Sequence, residues 1–332
     1  MELFILNSAE FFSRSAGMTL AGVAAKCNKP LALAIGVFDG VHLGHRKLLD
    51  RVLNIAGELD AVPVALTFDP HPRAVLFPSA PPVLLLELAE RIRLLHEAGM
   101  AMTAVVDFTL DFAATPAEDF LDLLFEQVPN LAAVGVGSNW RFGKNGSGNV
   151  ELLAEYAGKR NFKLVAVDEL VMDDEVVSAS RIRRLIAGGK LDEAEKLLGY
   201  RYTITGKVAN GYGIAGTKLN CPTANIVPQA GVLPPDGVYS GIVTADGRNY
   251  GAAVNIGVAP TYGRTADQCR RIEAHLLDFS GNLYGRNVRL ALGEYLRSEQ
   301  CFASEEALKK QIVCDVEKIR FWVKNKLEKE VL

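Results

Sequence analysis

Long apolar runs are absent from this 332-residue chain. No stretch approaches the roughly 18 uninterrupted apolar residues of a membrane-crossing helix, so none is expected. Basic runs are absent too, and the formal net charge of −3 gives no footing for a nucleic-acid partner. Cysteine is scarce. Five are scattered at 27, 221, 269, 301 and 314 without a Cys-x-x-Cys pair, which argues against a disulfide framework and fits reduced thiols in the cytoplasm. The opening MELFILNSAEFFSRS has no basic leader before its short apolar patch, so no signal peptide is expected. No internal repeat or low-complexity tract is visible. The expected partners are small molecules, and nothing in the pattern sets an oligomeric state.

Histidine is also sparse, five in all, yet two of them stand within four positions. They belong to a stretch around which the chain is organised, LALAIGVFDGVHLGHRKLLDRVLNIAGEL from Leu31 to Leu59. Leu31 to Phe38 is a nearly unbroken apolar run, long enough for one buried parallel strand. Leu48, Leu49, Val52, Leu53, Ala56 and Leu59 then recur at helical spacing. Between them lies a tight polar turn, Asp39 to His45. A strand feeding a helix through such a turn aims backbone N–H groups and a positive dipole end above the sheet, where phosphate is the usual occupant. His42 and His45, three apart, face the same way, and Gly44 lets a ligand approach the backbone. Paired zinc ligands on a helix favour a spacing of four, and no third ligand sits nearby, so phosphate chemistry is the better reading.

With 49% apolar residues, the chain is long enough for two domains with real cores. Strands are expected at Ala61 to Phe68, Met102 to Phe108, Leu131 to Gly137 and Phe162 to Val167. Helices are expected at Glu87 to Ala98, from Thr115 (N-cap, with Pro116 at N1 and Glu118 at N3) to Val128, and near Val150 to Lys159. This alternation argues a doubly wound parallel sheet with ligands at the strands' carboxyl ends. Ser178 to Arg183 opens another helix, stopped by Gly188-Gly189, and Leu191 to Leu198 makes a helical linker. Residues 1–186 are expected to form the first domain, 187–200 the linker and 201–332 the second domain. Beyond residue 200, short alternating segments at Tyr202–Ala209, Gly237–Thr244, Tyr250–Ile256, Arg271–Asp278 and Asn287–Tyr295 argue a small antiparallel barrel. A helix from an N-cap at Ser304 closes the chain, with Leu308, Ile312, Val316, Ile319 and Val323 on its apolar face.

The pattern Gly36-x-Phe38-Asp39-Gly40-Val41-His42-x-Gly44-His45 resembles the nucleotidyltransferase signature of the bacterial bifunctional riboflavin kinase/FMN adenylyltransferase (FAD synthetase) family. That resemblance implies a Rossmann-like N-terminal domain that adenylates FMN to FAD and a C-terminal domain that phosphorylates riboflavin to FMN, both with Mg2+ and ATP. Adenylyl transfer to a phosphate acceptor needs positioning and charge stabilisation rather than a covalent nucleophile, a task that suits His42 and His45. The stretch Thr67-Phe68-Asp69-Pro70-His71-Pro72 resembles the family's second motif, which implies flavin-phosphate or metal contacts from Asp69, His71 and Pro72. Ser178, Ser180 and Arg183 match a phosphate-binding stretch apt for the outgoing pyrophosphate. Asn139 and Arg141 fall in a loop of the same nucleotide site. The chain departs from the family pattern there, with Asn139 and Asn149 where Asp is usual, Gly146 where Arg is usual and Ala179 and Ser180 where Ser and Thr are usual. Asn139 can still offer a carbonyl oxygen to a metal, without the charge.

Gly211-x-Gly213-x-x-Gly216, with Asp236 twenty residues on, has the form of a dinucleotide fingerprint. The context rejects it, because Pro222 interrupts and strands follow where a helix is required. The stretch from Gly206 and Gly211 to Pro222-Thr223-Ala224-Asn225 resembles the riboflavin kinase module instead. It recurs with Asn255-x-Gly257-x-x-Pro260-Thr261, Glu273-x-His275-x-x-Asp278, Leu283-Tyr284-Gly285 and Arg297. The resemblance implies Gly206, Gly211 and Gly216 at the phosphates, Thr223 and Asn225 on magnesium, Arg297 at the flavin, and Glu273 as the base accepting the ribityl proton. Thr217 stands where Arg is usual, Asn220 where Gly is usual and Asn210 where His is common, which removes positive charge from the phosphate loop. The rival reading is a single-activity enzyme, or a flavin- or nucleotide-binding protein that has lost catalysis through these departures.

Overall fold

The fold was analysed in a computed structural model that describes residues 2–6, 29–209, 223–258, 270–300, 302 and 304–327. It separates into two compact units, Met1–Pro82 with Leu88–Ala179, and Val83–Glu87 with Ser180–Leu332.

The first unit is built on six parallel strands, β1 (Glu2–Leu6), β2 (Leu31–Ile35), β3 (Val62–Asp69), β4 (Met102–Asp107), β5 (Leu131–Gly137) and β6 (Lys163–Val167), in the order β1-β4-β3-β2-β5-β6. The run from Leu31 becomes a central strand whose five residues are all buried, as expected of a parallel strand covered on both faces. It is shorter than the run itself, because Gly36, Val37 and Phe38 leave the ladder to form the turn. Helix α1 (Leu43–Glu58) buries Leu48, Leu49, Val52 and Ala56 against β2, β5 and β6. The short α2 (Pro72–Leu76) follows β3, α3 (Leu88–Glu97) precedes β4, and α4 (Leu110–Ala113) follows it. Helices α5 (Ala117–Gln127) and α6 (Val150–Arg160) contribute Phe120, Leu121, Leu124, Phe125 and Leu153 to one core with Leu31, Leu33, Ile35, Val134 and Val136. Among the described residues strand β1 pairs with β4 alone, at the sheet edge, and the sequence reading did not anticipate it.

The start of α5 differs from the expectation by one residue. Pro116 is the N-cap, its ψ of 152° extended and its carbonyl accepting from Phe120, and no side chain caps the helix. Thr115 is drawn into the turn before it, its N–H donating to the Phe112 carbonyl. Beyond β6, the hairpin β7 (Val171–Met172) and β8 (Glu175–Val176) completes this unit.

Helix α7 (Ala179–Ala187) and helix α8 (Leu191–Leu198) lead into a closed barrel. Its strands are β9 (Thr203–Ala209), β10 (Thr223–Pro228), β11 (Gly237–Ala245), β12 (Arg248–Val258), β13 (Arg270–Leu276) and β14 (Asn287–Arg297). Every neighbouring pair is antiparallel, in the order β10-β13-β12-β11-β14-β9. Ile204, Ala224, Ile226, Val254, Ile256, Ile272, Ala274 and Leu290 are buried, alternating with half-exposed positions along the strands. The terminal helix α9 (Glu305–Leu327) packs on β11 and β12. Ser304 caps it as expected, its Oγ accepting from the Ala307 N–H at 3.2 Å. Its buried face carries Ile319 together with Asp315 and Trp322, which the apolar spacing alone did not include.

Candidate active sites

In the first unit, the turn between β2 and α1 is tightly wound. Phe38 (φ 55°) and Val41 (φ 34°) both lie in the left-handed region, which for a β-branched valine is a strained conformation that the surroundings must hold. Phe38 and Val41 are fully buried, Asp39 nearly so. The carbonyl of Val37 accepts from two directions, from Thr67 Oγ1 on β3 at 3.0 Å and from Arg91 Nη1 on α3 at 2.9 Å. Arg91 is buried and also donates from Nη2 to Asp69 Oδ1 at 3.2 Å, so one guanidinium joins the turn to the end of β3. Burial pulls the Arg91 pKa down, and the carboxylates of Asp69 and Asp39 oppose it.

The two histidines meet. Their rings stack with centroids 3.7 Å apart and planes 18° from parallel, and Phe38 meets His45 edge-on at 5.3 Å. His42 is the N-cap of α1, and its Nδ1 accepts from the His45 backbone N–H at 3.4 Å. Burial, then the neighbouring His42 and Arg91, hold the His45 imidazole well below the ordinary histidine range. Gly44 packs closely, since a Cβ there would stand a tight 3.1 Å from the His42 ring and 3.2 Å from the Val177 carbonyl. That contact brings the segment ending in Ser178 against the start of α1.

The remaining candidates sit around this turn at the strand ends or outside the unit. Gly36 and Gly40 are part of the turn itself. His71 caps α2 by accepting from the Arg73 N–H at 3.1 Å, with Pro72 as its first residue. Asn139 and Arg141 follow β5, and Asn139 donates its amide to Glu169 Oε1 at 2.7 Å, so a carboxylate lies beside the residue that lacks one. Two family departures have local explanations. Asn149 caps α6 by accepting from the Leu152 N–H at 2.9 Å, a role Asn and Asp fill equally, and Gly146 has φ 64°, which disfavours a side chain. Ser180 and Arg183 lie on α7 in the second unit, joined by a long 3.4 Å contact.

In the barrel, register brings several of the second set of candidate residues together. Asn225 on β10 is directly opposite Glu273 on β13, and Glu273 is directly opposite Asn255 on β12. Residues directly opposite point to the same face, so the three side chains form one half-exposed row on the outside of the barrel. Thr223 shares that face, two residues along from Asn225, and stands opposite His275. Beside Thr223 opens a cavity of about 230 Å³ walled by Val208, Leu276, Phe279, Leu283 and Tyr284. Gly206 lies within β9. Arg297 closes β14 and is engaged by the buried Asp315 of α9, with Nε 2.9 Å from Oδ2. Gly211, Gly213, Gly216, Thr217, Asn220, Asn210, Pro222, Pro260 and Thr261 lie outside the described residues. Arg91 and Glu299 were not singled out from the sequence. Glu299 accepts from Asn255 Nδ2 at 2.7 Å.

Family models divide the chain in the same sense. Residues 24–181 match FAD synthetase, and residues 198–323 match riboflavin kinase. A bifunctional riboflavin kinase/FMN adenylyltransferase of Buchnera aphidicola (from Schizaphis graminum) is 31% identical over 89% of this chain and 95% of its own length. The Pseudomonas fluorescens enzyme of the same name is 34% identical over 85% of this chain and 89% of its own. The chain belongs to the bifunctional riboflavin kinase/FMN adenylyltransferase family. Its FAD synthetase module is N-terminal and its riboflavin kinase module C-terminal, and the family's two activities divide between them. Among solved structures, one from Streptococcus pneumoniae described as a macrolide-efflux protein shares the fold, with a TM-score of 0.77 and 28% identity, covering 89% of this chain and 95% of that one. Among the described residues of the present chain, no helix is long and apolar enough to cross a membrane.

Proposed function

We propose that the chain makes FAD in two steps in the cytoplasm, phosphorylating riboflavin on the barrel row and adenylating FMN at the histidine turn, both with Mg2+-ATP. We assign residues 1–186 to adenylyl transfer, 187–200 to a linker and 201–332 to the kinase. The register that sets Asn225 opposite Glu273 is the observation that carries this reading.

In the kinase, Glu273 takes the proton of the ribityl primary hydroxyl as its oxygen attacks the γ-phosphorus of ATP and ADP leaves. A carboxylate flanked by neutral amides suits that task. Thr223 and Asn225 offer a hydroxyl and a carbonyl oxygen on one face of β10, hard donors that fit magnesium completed by phosphate oxygens, and Gly206, Gly211 and Gly216 are assigned to the ATP phosphates. Magnesium, when bound, offsets phosphate charge. The apolar and aromatic cavity beside Thr223 suits the purine ring of ATP. Arg297 serves the flavin end.

In the adenylyltransferase, a phosphate oxygen of FMN attacks the α-phosphorus of ATP and pyrophosphate leaves. His42 and His45, with the turn from Gly36 through Phe38, Asp39, Gly40 and Gly44, offer ring and backbone donors to the charge that builds on the α-phosphate. Asp69, His71 and Pro72 hold the FMN side. Ser178, Ser180 and Arg183 receive the pyrophosphate, and Asn139 with Arg141 completes the nucleotide site. The first test incubates the protein with riboflavin, ATP and magnesium and separates the flavins. FMN followed by FAD is expected; bound but unconverted flavin would instead favour a binding protein that has lost catalysis.

A further inference from the structure

Arg91 is buried at a cost that its contacts do not repay. Only 3% of its side chain is exposed, against 40% for the Asp69 side chain that answers it at 3.2 Å. Its Nε is buried with no hydrogen-bond partner among the described residues. Burial pulls its pKa down further than the Asp69 and Asp39 carboxylates raise it. A buried charge compensated this weakly does little for stability, and apolar replacements of such groups are often neutral or stabilising.

Neither partner depends on Arg91 to be satisfied. The Val37 carbonyl keeps Thr67 Oγ1 as a donor at 3.0 Å, and the half-exposed Asp69 has water within reach. What the guanidinium alone supplies is a fixed relation between the two. Nη1 on the Val37 carbonyl and Nη2 on Asp69 Oδ1 are held in one rigid plane. One donor therefore grips the residue before the left-handed Phe38, and the other grips the last residue of β3. Phe38 meets His45 edge-on, and His45 stacks on His42, so a displacement of Val37 is passed to both imidazoles.

We infer that Arg91 is a positioning residue for adenylyl transfer, fixing the separation between the Asp69 carboxylate and the histidine turn. It has this role on the reading that puts FMN at Asp69 and the ATP α-phosphate at the histidines. Transfer between two anions succeeds only when the attacking oxygen is aimed at phosphorus. A misplacement of about an ångström costs on the order of a hundredfold in rate.

Steady-state adenylylation of FMN by the full chain, with thermal melting of the same samples, tests this. Arg91→Met is expected to lower kcat about a hundredfold and to raise KM for FMN severalfold. The melting temperature of the N-terminal module is expected to stay the same or rise, because the Asp69 left behind is open to water. A purely structural arginine behaves in the opposite way: the melting temperature falls and the constants of the folded enzyme do not move, and that result overturns the inference. Arg91→Lys keeps the charge, but its single nitrogen cannot fill two donor positions, so kcat is expected to remain severalfold below wild type. Full activity in Arg91→Lys overturns the inference, and this variant carries the test should Arg91→Met fail to fold. His42→Ala is the control on the site. If it still makes FAD from FMN, the site assignment fails and the inference falls with it. If it is inactive while Arg91→Met works at the wild-type rate, the inference alone is overturned.

Discussion

Arg91 reaches from α3 to donate to the carbonyl of Val37 at 2.9 Å, one residue before the left-handed Phe38. The same guanidinium holds Asp69, so the turn and the end of β3 are fixed by one side chain. Arg91→Met is expected to reduce FAD formation from FMN, on the order of a hundredfold if the histidines shift by an ångström, while FMN formation from riboflavin is unchanged. Paired initial-rate assays check it. Equal losses in both activities would contradict a role confined to this turn.

His45 ties stability to pH. Its folded pKa lies well below the unfolded value of about 6.5, so below that pH the unfolded state binds the extra proton. Its contribution is fully present above about 6.5 and is lost as pH falls toward the folded pKa. Melting of the N-terminal module is expected to drop between pH 7 and pH 5, and His45→Gln is expected to flatten part of that slope. Calorimetry across the range reads it directly.

The two activities should separate by mutation. His42→Ala depresses FAD formation and spares FMN formation, and Glu273→Ala does the reverse. Chromatography of the flavin products checks the split. A variant that stays folded yet loses both activities would refute the division.

Asn149 offers a test of a family departure. As the N-cap of α6, Asn149→Ala is expected to cost about 1 kcal/mol, whereas Asn149→Asp is close to neutral. Thermal melting of the two variants distinguishes capping from a purely catalytic position.

Gly293 is where β14 meets α9. A Cβ there would stand 2.3 Å from the Trp322 ring and 2.4 Å from Ser240 Oγ. Gly293→Ala is expected to destabilise the barrel by about 1–3 kcal/mol. Denaturant titration followed by the fluorescence of Trp322 checks it.

The histidine turn was legible because strand, glycines and helix follow one another without interruption, so the pattern and the site are the same segment. The barrel strands were legible from alternation and turn residues. Arg91 was not, because a lone arginine among Glu90, Arg93 and Glu97 reads as part of a solvated helix face, and only the fold buries it. Glu299 was hidden in a similar way: its partner lies 44 residues away, and the glycine that admits it reads as a motif position. The Thr115 cap slipped by one because Pro suits both N-cap and first-turn backbone, and the preceding turn of α4 claimed Thr115. Strand β1 shows only a short apolar patch, and its pairing is set by a neighbour about a hundred residues on.

Closure of the barrel gives its outer row an all-or-none character. Asn225, Glu273 and Asn255 share a face only in one hydrogen-bonding register, and a slip of one residue on β13 would turn Glu273 toward the interior while pushing Ile272 or Ala274 into water. A sheet with a free edge could hold such a slip at modest cost, but in a ring of six strands the error has to be absorbed by both neighbours at once. A misregistered barrel is therefore unfolded rather than half-active, and the folded fraction of molecules sets the kinase-competent fraction.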